Sequence, residues 1–166
     1  MGHLIAVKKQ TEHIELSQEQ IIQKLESFCS YRERCTSEIN QKLYQLKADA
    51  NDFEFYINYL KENNFLNETR FANSFARGKN AIKKWGRKKI VMELKSKQID
   101  NATVQQSLLQ IDEGMYLIKL QDVLEKKNRQ LKETDAFKRK QKLIQFAMQK
   151  GYEYEIINEA MKNIAF

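Results

Sequence analysis

The amino-acid sequence predicts an all-α fold made of three tandem three-helix repeats. The 166 residues include no proline and only five glycines, so the residues that most strongly interrupt helices are scarce. Hydrophobic residues make up 42% of the chain, which is too much apolar surface for a disordered protein. One pattern of apolar residues also recurs along the chain, and recurrence over about 50 residues is typical of stacked helical repeats.

The recurring pattern has five apolar positions on two successive helices. It consists of Ile39, Leu43, Phe53, Ile57 and Leu60, then Ile90, Leu94, Val104, Leu108 and Ile111, then Leu143, Ala147, Ile157, Met161 and Ile164. An acidic residue stands before the last helix of each repeat, with Asp49 and Asp100 as N-caps and Glu153 as a partner for the helix dipole. The predicted repeats are residues 18–66, 67–112 and 113–166.

Residues 1–17 do not follow the repeat and are assigned to an N-terminal arm. The apolar residues Ile5, Val7, Ile14 and Leu16 alternate weakly with polar ones. A short strand, a disordered arm and a frayed helix all remain open for this segment.

Each repeat is predicted to begin with a longer amphipathic helix. The apolar stripes of these helices are Ile21, Leu25, Phe28 and Cys29; then Phe71, Phe75, Gly78, Ile82 and Trp85; then Tyr116, Leu120, Val123, Leu124 and Leu131. Gly86 and Gly151 are predicted to end helices as C-terminal caps. The helix that Gly151 ends has the predicted core stripe Phe137, Gln141, Ile144 and Met148.

The positive charge of the chain is concentrated in two segments. Lysine and arginine total 29 against 22 aspartates and glutamates, a net charge of +7 that favours polyanionic partners. Residues 77–97 carry nine bases and one acid, a net +8, and residues 126–142 carry eight bases and two acids, a net +6. The rest of the chain is therefore +7 − 14 = −7. Basic stretches in the second and third repeats are set among acidic flanks.

Candidate catalytic and metal-binding groups are few. The two histidines, His3 and His13, both lie in the N-terminal arm. The sequence has no glycine-rich phosphate loop and no Cys-x-x-Cys pair. We therefore expect a protein that is not an enzyme and has neither a cofactor nor a metal.

The cysteines and the hydropathy pattern predict a cytoplasmic protein. Cys29 and Cys35 are six residues apart, a spacing that does not place them on one helix face, and we interpret them as reduced thiols. No apolar run approaches the roughly 18 residues that a membrane-spanning helix needs, so no membrane partner is expected.

Basic side chains cluster on particular helix faces. Arg70, Arg77 and Lys84 are seven residues apart on one flank of the aromatic stripe, with Lys79 and Lys83 on the other. Three cations, Arg87, Lys88 and Lys89, open the next helix, where the helix dipole disfavours them. In the third repeat Lys138, Arg139 and Lys142 are predicted to point away from the core. Although a single lysine usually serves solubility, the clustering favours contact with phosphates or an acidic partner.

Several of these motifs resemble the RecX regulatory proteins over about residues 20–164. The matching segments are Tyr31-Arg32-Glu33-Arg34-Cys35, Asn64 through Ala72, Phe75-Ala76-Arg77-Gly78, Trp85 through Ile90, Glu93-Leu94-Lys95 and Lys150-Gly151-Tyr152. The stretch from Leu66 to Leu94 carries the strongest likeness. Where many relatives have a glycine before the third helix of a repeat, this chain has Ala48 and Gln98, and Gly151 alone keeps it.

The resemblance implies a non-enzymatic modulator of the RecA recombinase in recombination, repair and the SOS response. Such a protein is an elongated, curved module, expected as a monomer, that lodges in the groove of the RecA filament on single-stranded DNA. There it affects filament extension, ATP hydrolysis and strand exchange. The implied basic surface comprises Arg32, Arg34, Arg70, Arg77, Arg87 and Lys88, to which the charge pattern adds Lys84, Lys138, Arg139 and Lys142.

Two other functions remain open. The concentrated charge also fits a free-standing nucleic-acid-binding protein made of helical repeats. A third hypothesis is that the protein is a helical scaffold that binds some other acidic protein. Direct contact with single-stranded DNA and contact with the recombinase alone are equally compatible with the sequence.

Overall fold

The computed structural model describes residues 16–164, which form nine α-helices and one short 3₁₀ turn and contain no strand. The helices are α1 (Gln18–Tyr31), α2 (Thr36–Gln45), α3 (Phe53–Glu62), α4 (Glu68–Lys83), α5 (Arg87–Ser96), α6 (Asn101–Leu108), α7 (Glu113–Gln130), α8 (Ala136–Gln149) and α9 (Tyr154–Met161). The 3₁₀ turn, Ala50–Asp52, directly precedes α3. The expectations for Ile5, Val7 and Ile14 in the N-terminal arm lie outside the described residues.

The helices pack in successive groups of three: α1–α3 (repeat 1), α4–α6 (repeat 2) and α7–α9 (repeat 3). The helix pairs in closest contact all lie within one repeat. Every position of the recurring apolar pattern is buried or half-buried. The prediction of an all-α fold with tandem three-helix repeats is confirmed.

The same turn joins the second and third helices of every repeat. Lys47, Gln98 and Gly151 have positive φ angles of 58°, 65° and 88°. In each turn the next amide donates to the carbonyl five residues earlier: Ala48 to Leu43, Ile99 to Leu94 and Tyr152 to Ala147. This is the Schellman arrangement that usually contains glycine. In repeat 1 the residue that replaces the usual glycine is therefore Lys47, not Ala48 as the sequence predicts. The turn forms without glycine at Lys47 and Gln98, and each left-handed residue costs about 1 kcal/mol.

The three predicted acidic residues act differently at the helix starts. Asp100 caps α6, since its carboxylate accepts a hydrogen bond from the Thr103 amide at 2.9 Å. Asp49 caps the 3₁₀ turn through the Asn51 amide rather than α3 itself. Glu153 precedes α9 without capping it, because its carboxylate binds groups of other helices instead.

The core face of α4 lies about a quarter turn from the predicted stripe. Phe71 is buried, together with Ala72, Ala76 and Asn80, whereas Ile82 is 77% exposed. The small alanine side chains let α6 pack closely against α4. A stripe drawn through the large apolar residues is therefore wrong for the second half of this helix, where small residues form the contact.

Gly86 does not end α4. The helix stops at Lys83 and is capped by Lys84, which has a left-handed backbone with φ of 54°. Gly86 has an ordinary φ of −78° and stands at the N-cap of α5. The predicted role of Gly86 as a C-terminal cap is wrong, and its real role depends on repeat 3.

The predicted core stripe of α8 is also wrong. Phe137 and Met148 are 69% and 55% exposed, whereas Leu143 and Ala147 are fully buried. Leu143 and Ala147 are the positions that the recurring pattern selects. The spacing of apolar residues within one helix is thus a weaker guide here than the repeat, because several faces of α8 carry apolar residues.

The apolar core is divided between two clusters. One lies within repeat 1, around Leu25, Leu43 and Leu60. The other is continuous through repeats 2 and 3, and it also includes Cys35 from repeat 1. Cys29 and Cys35 are buried free thiols, and burial raises the pKa of Cys29 to about 11, which keeps that thiol protonated.

Repeat 1 joins repeat 2 at the start of α2. Cys35, the N-cap, provides no side-chain cap. Glu68, the first residue of α4, supplies one instead, accepting hydrogen bonds from the Thr36 amide at 2.8 Å and the Thr36 hydroxyl at 2.5 Å. Glu38 also pairs with Lys97 of repeat 2 at 2.9 Å. A side chain of repeat 2 therefore accepts a hydrogen bond from an amide at the start of α2, which has no acceptor within its own helix.

Repeat 2 joins repeat 3 at the equivalent place, the start of α5, through the backbone. The Gly86 amide donates to the Lys150 carbonyl at 2.8 Å, and the Lys88 amide donates to the Gly151 carbonyl at 3.0 Å. A Cβ atom on Gly86 would lie 2.3 Å from the carbonyl carbon of Gly151. Glycine is therefore required at residue 86 by close approach of two backbones.

We expect Gly86→Ala to lower the free energy of unfolding by about 3 kcal/mol or more, since its methyl group would collide with backbone rather than with a flexible side chain. Urea denaturation followed by circular dichroism measures this change. Gly78→Ala is the matched control, because in the middle of α4 nothing lies within 4 Å of its Cβ position apart from its chain neighbours and the helix backbone. The control should gain about 0.5–1 kcal/mol from helix propensity. Equal stability of the two variants would contradict the close contact at Gly86.

The ion pair between Glu38 and Lys97 makes stability depend on pH. Burial acts to raise the pKa of Glu38, but the hydrogen bond and charge of Lys97, together with Arg32, outweigh it and hold the pKa below its usual value. A carboxyl group with a lowered folded pKa stabilises the protein above its unfolded pKa, and this contribution disappears as the pH falls through the folded value.

We expect Glu38→Gln to cost roughly 1–3 kcal/mol of unfolding free energy at pH 7, because it leaves a partly buried cation without its partner. The difference from the unmodified protein should shrink below about pH 4, where Glu38 itself becomes neutral. Urea denaturation across this pH range provides the measurement. Glu62→Gln, at an exposed position at the end of α3, should change stability by less than about 0.5 kcal/mol at any pH. A pH-independent difference for Glu38→Gln would refute the ion-pair explanation.

Candidate functional site

The ten basic residues predicted to form the binding surface fall into two groups. Partners inside the molecule hold the side chains of Arg32, Arg34, Arg70, Arg87, Arg139 and Lys142. The remaining four are Arg77, Lys84, Lys88 and Lys138, none of which forms an ion pair with residues 16–164. The charges available to a partner are therefore fewer than the sequence predicts.

Arg34 is a core residue rather than a surface residue. It is 7% exposed, with its guanidinium carbon 3.5 Å from the centroid of the Phe28 ring. Its Nε donates to the Phe28 carbonyl at 3.0 Å, and Nη1 lies 3.6 Å from Glu38. The neighbouring Arg32 is half exposed and pairs with the same carboxylate at 3.2 Å. Both arginines contact residues of repeat 1, and both bind Glu38, the carboxylate that pairs with Lys97 of repeat 2.

Arg70 also serves this joint. Its Nε donates to the carboxylate of Glu33, just before α2, at 2.9 Å. Its Nη2 donates to the Asn64 carbonyl at 2.9 Å, in the loop before α4. The heptad spacing of Arg70, Arg77 and Lys84 therefore does not produce one free basic row.

Arg87 lies in a polar network between repeats 2 and 3. Its guanidinium is 3.3 Å from Glu153 and 4.1 Å from the centroid of the Tyr116 ring, and it also binds Glu113. The Tyr116 hydroxyl accepts from the Arg87 amide at 2.8 Å and donates to Glu153 at 2.7 Å. Burial, with the hydrogen bond to Glu153, raises the pKa of Tyr116, so the hydroxyl stays protonated and can donate. Tyr116 thereby caps α5 from the next repeat.

Arg139 closes the loop between α7 and α8. Its guanidinium donates to the carbonyls of Asn128, Leu131 and Glu133 at 2.8–3.1 Å. Lys142 pairs with the Glu133 carboxylate at 2.9 Å. The sequence predicts that Arg139 points away from the core and is available to a partner. Its half-buried guanidinium instead binds backbone carbonyls at the end of α7 and in the loop that follows.

The four predicted cations that form no ion pair within the described part of the chain lie on three helices and on the cap of α4. Arg77 is exposed on the second half of α4, Lys88 at the start of α5 and Lys138 at the start of α8. Lys84 is half-buried, and its Nζ donates to the Ala81 carbonyl at 2.7 Å. Within repeats 2 and 3, the other exposed lysines without an ion pair to the described residues are Lys83, Lys95, Lys132 and Lys140. An extended basic surface on repeats 2 and 3 therefore remains.

The structure contains one cluster of cations and aromatic rings that was not predicted from the sequence. The Nζ atoms of Lys79 and Lys89 lie 4.9 Å and 4.8 Å from the centroid of the Trp85 ring, and Lys79 also lies 5.1 Å from the Phe75 centroid. Cation–π attraction holds these lysines over the rings. The alternation of lysines and aromatic residues around Trp85 is the sequence signal that could have indicated it.

The described part of the chain contains no group of three or more histidine, cysteine, aspartate or glutamate side chains that could hold a metal ion. Across residues 16–164, none of the helices combines the length and the apolar character that crossing a membrane requires. His3 and His13 lie outside the described residues.

Models of two RecX domains match this chain. The RecX second three-helix domain matches residues 67–108, which include α4–α6, and the third three-helix domain matches residues 116–161 in α7–α9. The matched segments contain the free cations Arg77, Lys88 and Lys138.

Several proteins named regulatory protein RecX are similar in sequence. The one from Lactococcus lactis is 31% identical over 140 residues, which cover 82% of this chain and 52% of that protein. The one from Clostridium botulinum is 31% identical over 127 residues, covering 75% and 59%. The one from Vibrio parahaemolyticus is 30% identical over 133 residues, covering 80% and 83%. The chain thus spans little more than half the length of the first two relatives.

Two solved structures have the same fold. A crystal structure of regulatory protein RecX superposes with a TM-score of 0.77 at 19% identity, covering 87% of this chain and 73% of the other. RecX from Lactobacillus salivarius gives 0.75 at 22% identity, covering 87% and 94%. Together with the domain models and the sequence relatives, these similarities show that the chain belongs to the RecX family of regulatory proteins.

Proposed function

We propose that this protein binds the RecA recombinase filament on single-stranded DNA and inhibits or modulates its extension, ATP hydrolysis and strand exchange. Membership of the RecX regulatory family is the observation that carries this proposal. The protein acts through binding, as a monomer in the cytoplasm, and needs no catalytic group, cofactor or metal of its own. Its functional units are the repeats at 18–66, 67–112 and 113–166.

The arrangement of the charges supports a long partner surface. Arg77 and Lys88 belong to repeat 2 and Lys138 to repeat 3, so the free cations are distributed over successive repeats instead of one pocket. Stacked repeats present such extended surfaces because each contacts mainly its neighbours. A nucleoprotein filament offers both phosphates and protein carboxylates along its length, and both attract exposed lysine and arginine.

The ten predicted residues divide their roles accordingly. Arg77, Lys84, Lys88 and Lys138 contact the partner directly. Arg32, Arg34, Arg70, Arg87, Arg139 and Lys142 hold the repeats and loops that present them. Direct contact of the first group with DNA and contact with recombinase carboxylates would use the same side chains.

The recombinase proposal is tested by adding the protein to preformed RecA filaments on single-stranded DNA and measuring ATP hydrolysis. We expect hydrolysis to fall at substoichiometric ratios. The triple variant Arg77→Gln, Lys88→Gln, Lys138→Gln should require at least about tenfold more protein for the same effect, since each 1.4 kcal/mol of lost binding energy is tenfold. Its melting temperature should be nearly unchanged, because exposed substitutions cost within about 0.5 kcal/mol.

A charge-matched control separates local contact from net charge. The substitutions Lys24→Gln, Lys61→Gln and Lys162→Gln remove the same charge from exposed positions outside the two basic segments. This control should inhibit like the unmodified protein. Unchanged hydrolysis with excess protein would refute the recombinase proposal, and equal inhibition by both triple variants would refute the assignment of the surface.

A second candidate function is nucleic-acid binding without the recombinase. The net +14 of residues 77–97 and 126–142 favours it, together with the exposed cations there. It predicts tight binding to DNA alone, with log affinity falling linearly as log salt concentration rises. Fluorescence anisotropy of a labelled oligonucleotide measures this slope. Weak binding at about 0.15 M salt would contradict this candidate without affecting the first.

A further inference from the structure

An apolar groove opens on the second half of α4. It has a volume of about 210 Å³ and is lined by Ser74, Phe75, Gly78, Lys79, Ile82 and Lys83. Phe75, Gly78 and Ile82 belong to the stripe predicted to be core. Because the alanines of α4 occupy the real core face, Ile82 is exposed, Gly78 is half-buried, and Phe75 is half-buried with one side packed against the core. Together they line a slot that the proposed function does not use.

The floor of the groove is suited to an inserted side chain. Ile82 is 77% exposed and lies one helical turn from Gly78. Apart from its chain neighbours and the backbone of α4, nothing lies within 4 Å of the Cβ position of Gly78, so the space between Phe75 and Ile82 is open. An apolar side chain placed there would remove surface of both residues from water.

The rim of the groove is positively charged. Lys83 is exposed and has no ion pair with the described residues, and Lys79 leans over Phe75 with its Nζ 5.1 Å from the ring centroid. The stretch 69–92 contains eight lysines and arginines and not one aspartate or glutamate. Two of these cations, Arg70 and Arg87, are paired with carboxylates from outside the stretch, but within the described residues Lys79 and Lys83 at the slot are not. A partner segment rich in carboxylates would therefore meet unpaired positive charge at the rim of the slot.

We propose that this groove docks an acidic segment of a partner protein, which inserts one apolar side chain between Phe75 and Ile82. Carboxylates that flank the inserted side chain pair with Lys79 and Lys83. A protein segment fits the groove better than nucleic acid does. Lysines lie over the rings of Phe75 and Trp85, the inner surface is aliphatic, and single-stranded bases need open aromatic faces for stacking. The inference goes beyond the recombinase proposal and does not rest on it.

The only tryptophan of the chain reports on this site. The Trp85 ring centroid lies 6.4 Å from that of Phe75, and Lys79 contacts both rings. Trp85 fluorescence is measured during titration with three probes. These are a short peptide of aspartate and glutamate with one central leucine, the same peptide with alanine in place of leucine, and an oligothymidine.

We expect the leucine peptide to bind at least about tenfold more tightly than the alanine peptide, because the larger side chain buries more apolar surface in the slot. Both affinities should fall as salt rises, owing to the lysine rim. Equal affinity of the two peptides would overturn the proposal, because charge alone would then account for binding. A preference for oligothymidine over the leucine peptide would also overturn it and would assign the surface to nucleic acid.

Filling the groove provides the second arm of the test. Gly78→Leu places a side chain in the open space, and leucine favours the helix more than glycine does, so the protein should fold with an unchanged or higher melting temperature. This variant should lose the tenfold preference for the leucine peptide. Gly114→Leu, at an exposed position in the first turn of α7, is the matched control and should keep it. Retention of the preference by a folded Gly78→Leu protein would exclude the groove as the docking site.

Discussion

The structure depends on how the second helix of one repeat begins against the next repeat. A helix start exposes unpaired amides, which must find acceptors if the start is buried. Glu68 serves the start of α2, and the Tyr116 hydroxyl serves the start of α5. Glu68 is the first residue of α4 and Tyr116 the fourth residue of α7. The first turn of the next repeat's leading helix therefore supplies the acceptor at both joints, from different positions and with different chemistry.

This joint explains why most arginines are unavailable to a partner. A guanidinium can bind carboxylates and carbonyls at the same time, which suits the crowded polar groups where repeats meet. Arg70 and Arg87 occupy such positions, and Arg34 is buried within repeat 1 beside Glu38, which pairs with repeat 2. The lysines, which keep their charge at the end of a flexible stem, remain outside and supply most of the free charge. The two basic segments of the sequence therefore contain two kinds of cation: most arginines bind groups within the protein, and most lysines remain free for a partner.

The two joints also explain the distribution of glycine. Where repeats 2 and 3 meet, backbone atoms contact each other in addition to side chains, so Gly86 and Gly151 leave no room for a Cβ atom on either side. Repeats 1 and 2 meet through side chains such as the pair of Glu38 and Lys97. The turn at Gln98 can therefore carry a side chain despite its left-handed backbone. Glycine is needed where the backbones touch, in addition to where the chain turns.

The sequence by itself determined the helical class, the threefold repetition and the apolar positions that recur with it, because these follow from local periodicity and from the scarcity of helix breakers. It also placed the two basic segments. Only the tertiary structure decided which face of α4 is buried and which cations are free. Those outcomes depend on Ala72 and Ala76, which let α6 approach, and on carboxylates such as Glu33 and Glu153 that are distant in sequence from the arginines they bind. Contacts between residues far apart in the chain leave no periodic signal, so the groove at Gly78 and the buried role of Arg34 emerge only when the helices are packed.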